Sequence, residues 1–173
     1  IGEVPWLTLA PGDTVRIFHK PEPYREKIAI RVAGTAEQPI RVCGVAGPSG
    51  ELPVLDGQDA VTSAQNATYW TGSQTRGIIT LSAPWGTKPK HILLEGLRIE
   101  HAHPDYAFQD SDGTLVSFSN NAAAIFIERG EDITVRGIVI TDNSNGFFVA
   151  SGGDQEMLSK NITLEGSLLY GNG

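Results

Sequence analysis

The side chains best suited to chemistry crowd into one stretch. His101-Ala102-His103-Pro104-Asp105-Tyr106 runs on to Asp110-Ser111-Asp112-Gly113. Two imidazoles, three carboxylates and a phenol thus fall within about a dozen residues. An imidazole changes charge near neutrality, so His101 or His103 is suited to take or give a proton. Carboxylate oxygens suit a hard cation, and Asp105, Asp110, Asp112 and the later Asp142 form a candidate Ca²⁺ set. The same four carboxylates are a pool for a pair flanking a glycosidic bond. The plain alternative is a solvated loop closed by an Asp-Gly turn. Two metal motifs fail. Asp110-Ser111-Asp112-Gly113 opens like an EF-hand loop, but Leu115 stands where Gly is needed and Asn121 where Glu is needed. His101 and His103 offer two zinc ligands with no further pair at zinc spacing, so no zinc is expected.

The elements that must position these groups are read from a repeat. Ile133-Thr134-Val135-Arg136-Gly137-Ile138-Val139-Ile140-Thr141-Asp142-Asn143 is echoed by Ile162-Thr163-Leu164-Glu165-Gly166-Ser167-Leu168-Leu169-Tyr170-Gly171-Asn172. A looser copy runs from Ile92 through Glu95-Gly96 to Ala102. Each half is short and rich in β-branched residues, which reads as a strand. The Gly between halves permits a sharp bend. The copies recur at roughly 29 and roughly 41 residues, a solenoid period with loop insertions. Such strands pair in parallel with their copies in the next coil. Asn143 and Asn172 share a frame, which predicts stacked, hydrogen-bonded amides along the axis. Aligned on the repeat, His101 matches Asp142 and His103 matches Ser144. Polar groups from three coils, namely His101, His103, Asp142, Asn143, Asn145 and Asn172, therefore fall near one corner.

Composition bounds the rest. The length of 173 residues fits a single domain, 1–173, of roughly six coils. Hydrophobic content of 40% argues against disorder, and 20 Gly with 10 Pro suit a turn-rich all-β chain. A net charge of −7 leaves no basic stripe for nucleic acid. It suits an acidic polymer only if Lys and Arg gather in one groove. The one cysteine, Cys43, excludes an intrachain disulfide and reads as a small core residue. No apolar run approaches the ~18 residues of a membrane-spanning helix, and no signal peptide stands at the start. The last repeat breaks off in its turn, with no polar cap. The expectation is an N-terminal part of a longer β-helix, its open end covered by further coils or by self-association.

The opening residues carry a resemblance. Pro11-Gly12-Asp13-Thr14-Val15, Tyr24, Ile28-Ala29-Ile30, Gly34-Thr35, Pro39-Ile40-Arg41-Val42 and Asp56-Gly57 follow one another. This series resembles the first coils of the right-handed parallel β-helix superfamily, including polysaccharide lyases of the pectate-lyase and chondroitinase-B/alginate-lyase types. It covers roughly residues 9–58, and the later repeats extend it. Pro23 departs from it, standing where the family often has Gly before the Tyr. The matching residues are turn and core residues, so they speak for fold more than for activity.

The resemblance implies a secreted, periplasmic or surface protein acting on a polysaccharide. β-Elimination of an acidic polymer is the favoured reading. It needs a base and a positive partner for the uronate carboxylate. His101 or His103 would be the base, Arg98 or Arg136 the charge partner, with Ca²⁺ on the four aspartates. Tyr69, Trp70, Trp85 and Tyr106 would stack on sugar rings, and Lys88 beside Pro89 would read an acidic chain. The rivals are a glycoside hydrolase on the same fold and a non-catalytic carbohydrate-binding or adhesion β-helix. Asn66 and Asn161 sit in acceptor triplets for glycosylation that carry no weight.

Overall fold

The structure is a computed structural model that describes residues 1–63 and 75–173. Tyr69, Trp70 and Asn66 lie outside the described residues. Among the described residues, fifteen short strands gather into three parallel sheets and one hairpin. The first sheet stacks β1 (Thr14–Phe18), β3 (Ile40–Val45), β6 (Lys90–Glu95), β11 (Glu131–Arg136) and β14 (Lys160–Glu165). The second stacks β4 (Val54–Asp56), β7 (Arg98–Glu100), β12 (Val139–Thr141) and β15 (Leu168–Tyr170). The third stacks β2 (Ile28–Ile30), β5 (Gly77–Leu81), β10 (Ala123–Glu128) and β13 (Asn145–Ala150). The chain visits the sheets in the same cyclic order each time, compatible with a solenoid. In the first circuit the isolated parallel bridge from Tyr24 to Leu55 takes the place of a second-sheet strand. The largest sheet holds five strands, against an expectation of roughly six coils.

The repeat sets the register, and the register builds the core. Ile40, Ile92, Ile133 and Ile162 pair in one column, and Val42, Leu94, Val135 and Leu164 in the next. In the second sheet the column is Leu55, Ile99, Ile140 and Leu169. Like side chains stack on like, and the interior members are 0–2% exposed. Each such burial is worth about 1.5–3 kcal/mol. The final strands differ: Leu164, Leu168, Leu169 and Tyr170 are exposed.

Between the first and second sheets the chain bends at Gly96, Gly137 and Gly166, each with a positive φ, and Gly44, near the end of β3, stacks against Gly96. A Cβ on Gly44 would stand 1.8 Å from the Gly96 carbonyl oxygen, so stacked backbones there leave no room for a side chain. The stretch 101–121 departs from its reading as a polar loop. It contains an antiparallel hairpin, β8 (Ala107–Gln109) with β9 (Leu115–Ser117). Phe108 and the following Phe118 are buried, with ring centroids 4.7 Å apart. They cover the buried amine of Lys27, which lies 3.4 Å from the Phe108 centroid. Burial pushes the Lys27 pKa well below its usual range, against the pull of Asp110.

Candidate functional site

At the corner after the second sheet, successive circuits place one residue each in the same position. β4 is followed by Gly57, β7 by His101, β12 by Asp142 and β15 by Gly171. Backbone bonds knit them: Gly57 N–H donates to Glu100 O at 2.8 Å and His101 N–H to Asp142 O at 2.9 Å. His101 (φ 72°) and Asp142 (φ 55°) are left-handed, a conformation that costs a non-glycine residue about 1–2 kcal/mol. His91, Asp132 and Asn161 share it at the start of the first sheet, so strain belongs to the corners of this fold. What distinguishes this corner is the chemistry stacked there.

His101 is held between two carboxylates. Its Nδ1 is 2.7 Å from Asp56 Oδ1, and its Nε2 is 3.3 Å from Asp142 Oδ2. Asp56 is buried, also accepts the Gln58 amide at 2.9 Å, and pairs with Arg25 at 3.3 Å. Arg25 bridges on to Asp59 at 3.1 Å. Tyr106 lies against the His101 ring, centroids 4.4 Å apart, and donates its hydroxyl to Asp142 Oδ2 at 2.8 Å. That bond holds the Tyr106 pKa above its usual value, with burial and the charges of Asp142, Asp105 and Asp56 adding to it. The phenol therefore keeps its proton. Asp142 is half-exposed, a solvent-facing carboxylate bonded by the Tyr106 hydroxyl and 3.3 Å from His101 Nε2. His103 is further off, its ring 6.4 Å from Tyr106, and its Nδ1 accepts the Asp105 amide at 3.3 Å.

Just inside this corner the expected amide stack is present. Asn143 Nδ2 donates to Asn172 Oδ1 at 3.0 Å, and Asn143 Oδ1 accepts the amide of Ala102 at 2.8 Å. The ladder fixes the turn that holds His101 and Asp142 apart from the core.

The remaining expected site residues are dispersed. Arg98 donates to Glu100 and Arg136 to Glu95, each at 2.7 Å. Lys88 is mostly buried, bonded to Glu131 at 3.2 Å and to Leu158 O at 3.0 Å. It serves the structure rather than a groove. Trp85 is 59% exposed, with the Arg129 guanidinium 5.3 Å from its ring, and has no contact with the His101 cluster. Asp110 and Asp112 serve the β8–β9 turn: Asp110 Oδ1 accepts the Ser111 amide and Asp112 Oδ1 the Thr114 amide, both at 2.8 Å. Asp105, Asp110, Asp112 and Asp142 therefore do not converge. Among the described residues no three His, Cys, Asp or Glu side chains are placed to hold a metal ion.

Two residues of the cluster, Arg25 and Asp56, escape sequence reading. Asp56-Gly57 reads only as a turn. Its signal is the register: Asp56 pairs with Glu100, so the next residue, His101, faces it. Another groove, of about 640 Å³, lies elsewhere, over Gly44, Gly96, Gly137 and Gly166. It offers glycine backbone, the Arg136–Glu95 pair and Glu165, with no imidazole or phenol, so the chemistry favours the His101 corner. No protein-family model, curated protein or solved structure matched the chain in comparison.

Proposed function

We propose that the chain is a right-handed parallel β-helix that hydrolyses a polysaccharide at the His101 corner. The observation carrying this reading is Asp142, an exposed carboxylate held by His101 Nε2 and the Tyr106 hydroxyl, with buried Asp56 behind the imidazole. Hydrolysis needs two carboxylates at the bond. Asp142, which accepts the Tyr106 hydroxyl, takes the proton of the attacking water. Asp105, 83% exposed beyond Tyr106, is the second carboxylate of the pair. His101 and Tyr106 orient Asp142, and the Tyr106 ring offers a stacking face to the sugar. A polymer of this kind is met outside the cell or in the periplasm, where we place the protein.

Charge pairing favours this over β-elimination. Elimination needs a cation free to neutralise a uronate. Arg98, Arg136 and Lys88 are each bonded to a carboxylate of the chain. Tyr106, with its pKa raised, is a poor base.

The test incubates the purified chain with neutral polysaccharides and polyuronates, following reducing ends and the ultraviolet absorbance of unsaturated uronate. New reducing ends without unsaturated product are expected, lost about 10²–10⁴-fold in Asp142→Asn. Unsaturated product would mean elimination and overturn the reading. Retardation in a polymer gel without cleavage would make the chain a binding protein.

A further inference from the structure

A second feature adjoins the His101 corner on the outer side of the second sheet. It is a cleft of about 460 Å³, lined by the 19–23 segment, Glu51 with Leu52, Val54, and the pair Arg98 and Glu100. Strand β7 gives Arg98 and Glu100 to the cleft and continues directly into His101. Strand β4 gives Val54 to the cleft and Asp56 to the cluster. At about 3.3 Å per residue, the cleft and the cluster lie within about 10 Å along these strands. One polymer chain reaches both.

The lining is two-sided. Pro21, Pro23, Leu52 and Val54 form an apolar part, and His19, Glu51, Arg98 and Glu100 a polar one. Arg98 uses its Nε on Glu100 and keeps a side chain 41% exposed. A guanidinium has five N–H donors, so the fork retains donors for a ligand, while Glu100 and Glu51 supply acceptors. The Arg98–Glu100 pair is neutral as a unit, and Glu51 adds a negative charge. A carboxylate entering here would meet two glutamates around one guanidinium.

We infer that this cleft is the subsite for an uncharged, hydroxyl-bearing sugar unit next to the bond cleaved, so that the polymer is neutral at that position. The inference rests on the hydrolase reading for the word subsite. The C–H face of a pyranose packs on the prolines, Leu52 and Val54. Its hydroxyls accept from Arg98 and donate to Glu100 and Glu51. An acidic polymer is disfavoured there, because its carboxylate is repelled by Glu51 and Glu100.

The experiment is amide chemical-shift mapping of the whole chain, titrated with cellohexaose, laminarihexaose, mannohexaose, xylohexaose and hexagalacturonate in turn. At least one neutral hexasaccharide is expected to shift the amides of Leu52, Val54 and Glu100, and hexagalacturonate to leave them in place. Arg98→Gln is expected to weaken that binding about tenfold. Equal or larger shifts with hexagalacturonate, no shift with any neutral probe, or unchanged affinity in Arg98→Gln would each overturn the inference. The two readings fail separately. Polymer cleavage lost in Asp142→Asn with silent cleft amides would remove the subsite and leave the hydrolase. Cleft shifts without cleavage of any polymer would remove the hydrolase and leave a neutral-sugar binding cleft.

Discussion

Replacing Asn143 with Ala tests whether the amide ladder holds the site together. Asn143 is 1% exposed. Its Nδ2 donates to Thr141 O at 2.7 Å and to Asn172 Oδ1 at 3.0 Å, and its Oδ1 accepts from Ala102 N–H at 2.8 Å. Alanine removes all three bonds and strips Ala102 N–H and Thr141 C=O of these partners in a dry interior. Each orphaned buried group costs about 1–3 kcal/mol. With partial relaxation the expected loss is about 3 kcal/mol. Asn172 supplies a contrast. It is only half-buried, so water can replace much of what it gives, and Asn172→Ala should cost about 1 kcal/mol. Urea unfolding followed by circular dichroism reads both as shifts in midpoint at constant slope. Hydrogen exchange at the Ala102 amide should accelerate in Asn143→Ala before any amide of β7. A loss below about 0.5 kcal/mol in Asn143→Ala, or a larger loss in Asn172→Ala, would refute the reasoning.

Two further outcomes follow from the corner and from the one thiol. Gly44→Ala drives a Cβ to 1.8 Å from the Gly96 carbonyl oxygen and should cost more than about 3 kcal/mol, whereas Gly137, with nothing within 4 Å but φ at +59°, should lose only about 1–2 kcal/mol as Ala; the same urea assay ranks them. The Cys43 thiol donates to Glu95 Oε1 at 3.0 Å, and burial first, then Glu95, push its pKa up to about 11. The folded state therefore favours the thiol form. Iodoacetamide labelling should rise with a midpoint near pH 11 and move to lower pH in Glu95→Gln; a midpoint near the ordinary thiol value of 9.0 in the wild-type chain would contradict the contact.

The parts of the structure legible in the sequence are those the repeat encodes locally. Ile133 and Ile162 share a frame, so they share a column, and their Asn143 and Asn172 share a ladder. Gly96, Gly137 and Gly166 sit where the chain must take a positive φ. Strand type and parallel pairing come from the same pattern. The His101–Asp142 contact was half visible, because aligning the copies sets the two at one position. Asp56 was not, since it lies 45 residues before His101 across a differently spaced circuit, and only the stacking order makes them neighbours. The same reason hid the ion pairs. Arg136 meets Glu95 from 41 residues away, and Lys88 meets Glu131 from 43. Their partners sit one circuit away, beyond the reach of local spacing. The Phe108–Phe118 hairpin was hidden by the polar residues around its turn.

These pairings bear on function as much as on stability. In a stacked parallel sheet, a residue facing outward is flanked by its counterparts in the circuits before and after. A charge placed in one circuit is neutralised at little entropic cost by a charge at the matching position of the next, as Arg136 is by Glu95. Cations on regular strand positions are thus poor candidates for holding a charged substrate. The corners are different. There the left-handed residues His101 and Asp142 turn side chains out of the ladder, and the third circuit has room for the Tyr106 loop and the hairpin behind it. A site on this fold is therefore to be sought where the register is interrupted by an insertion. The His101 corner is such a place, and Asp142 there is half-exposed between two rings that hold it in position.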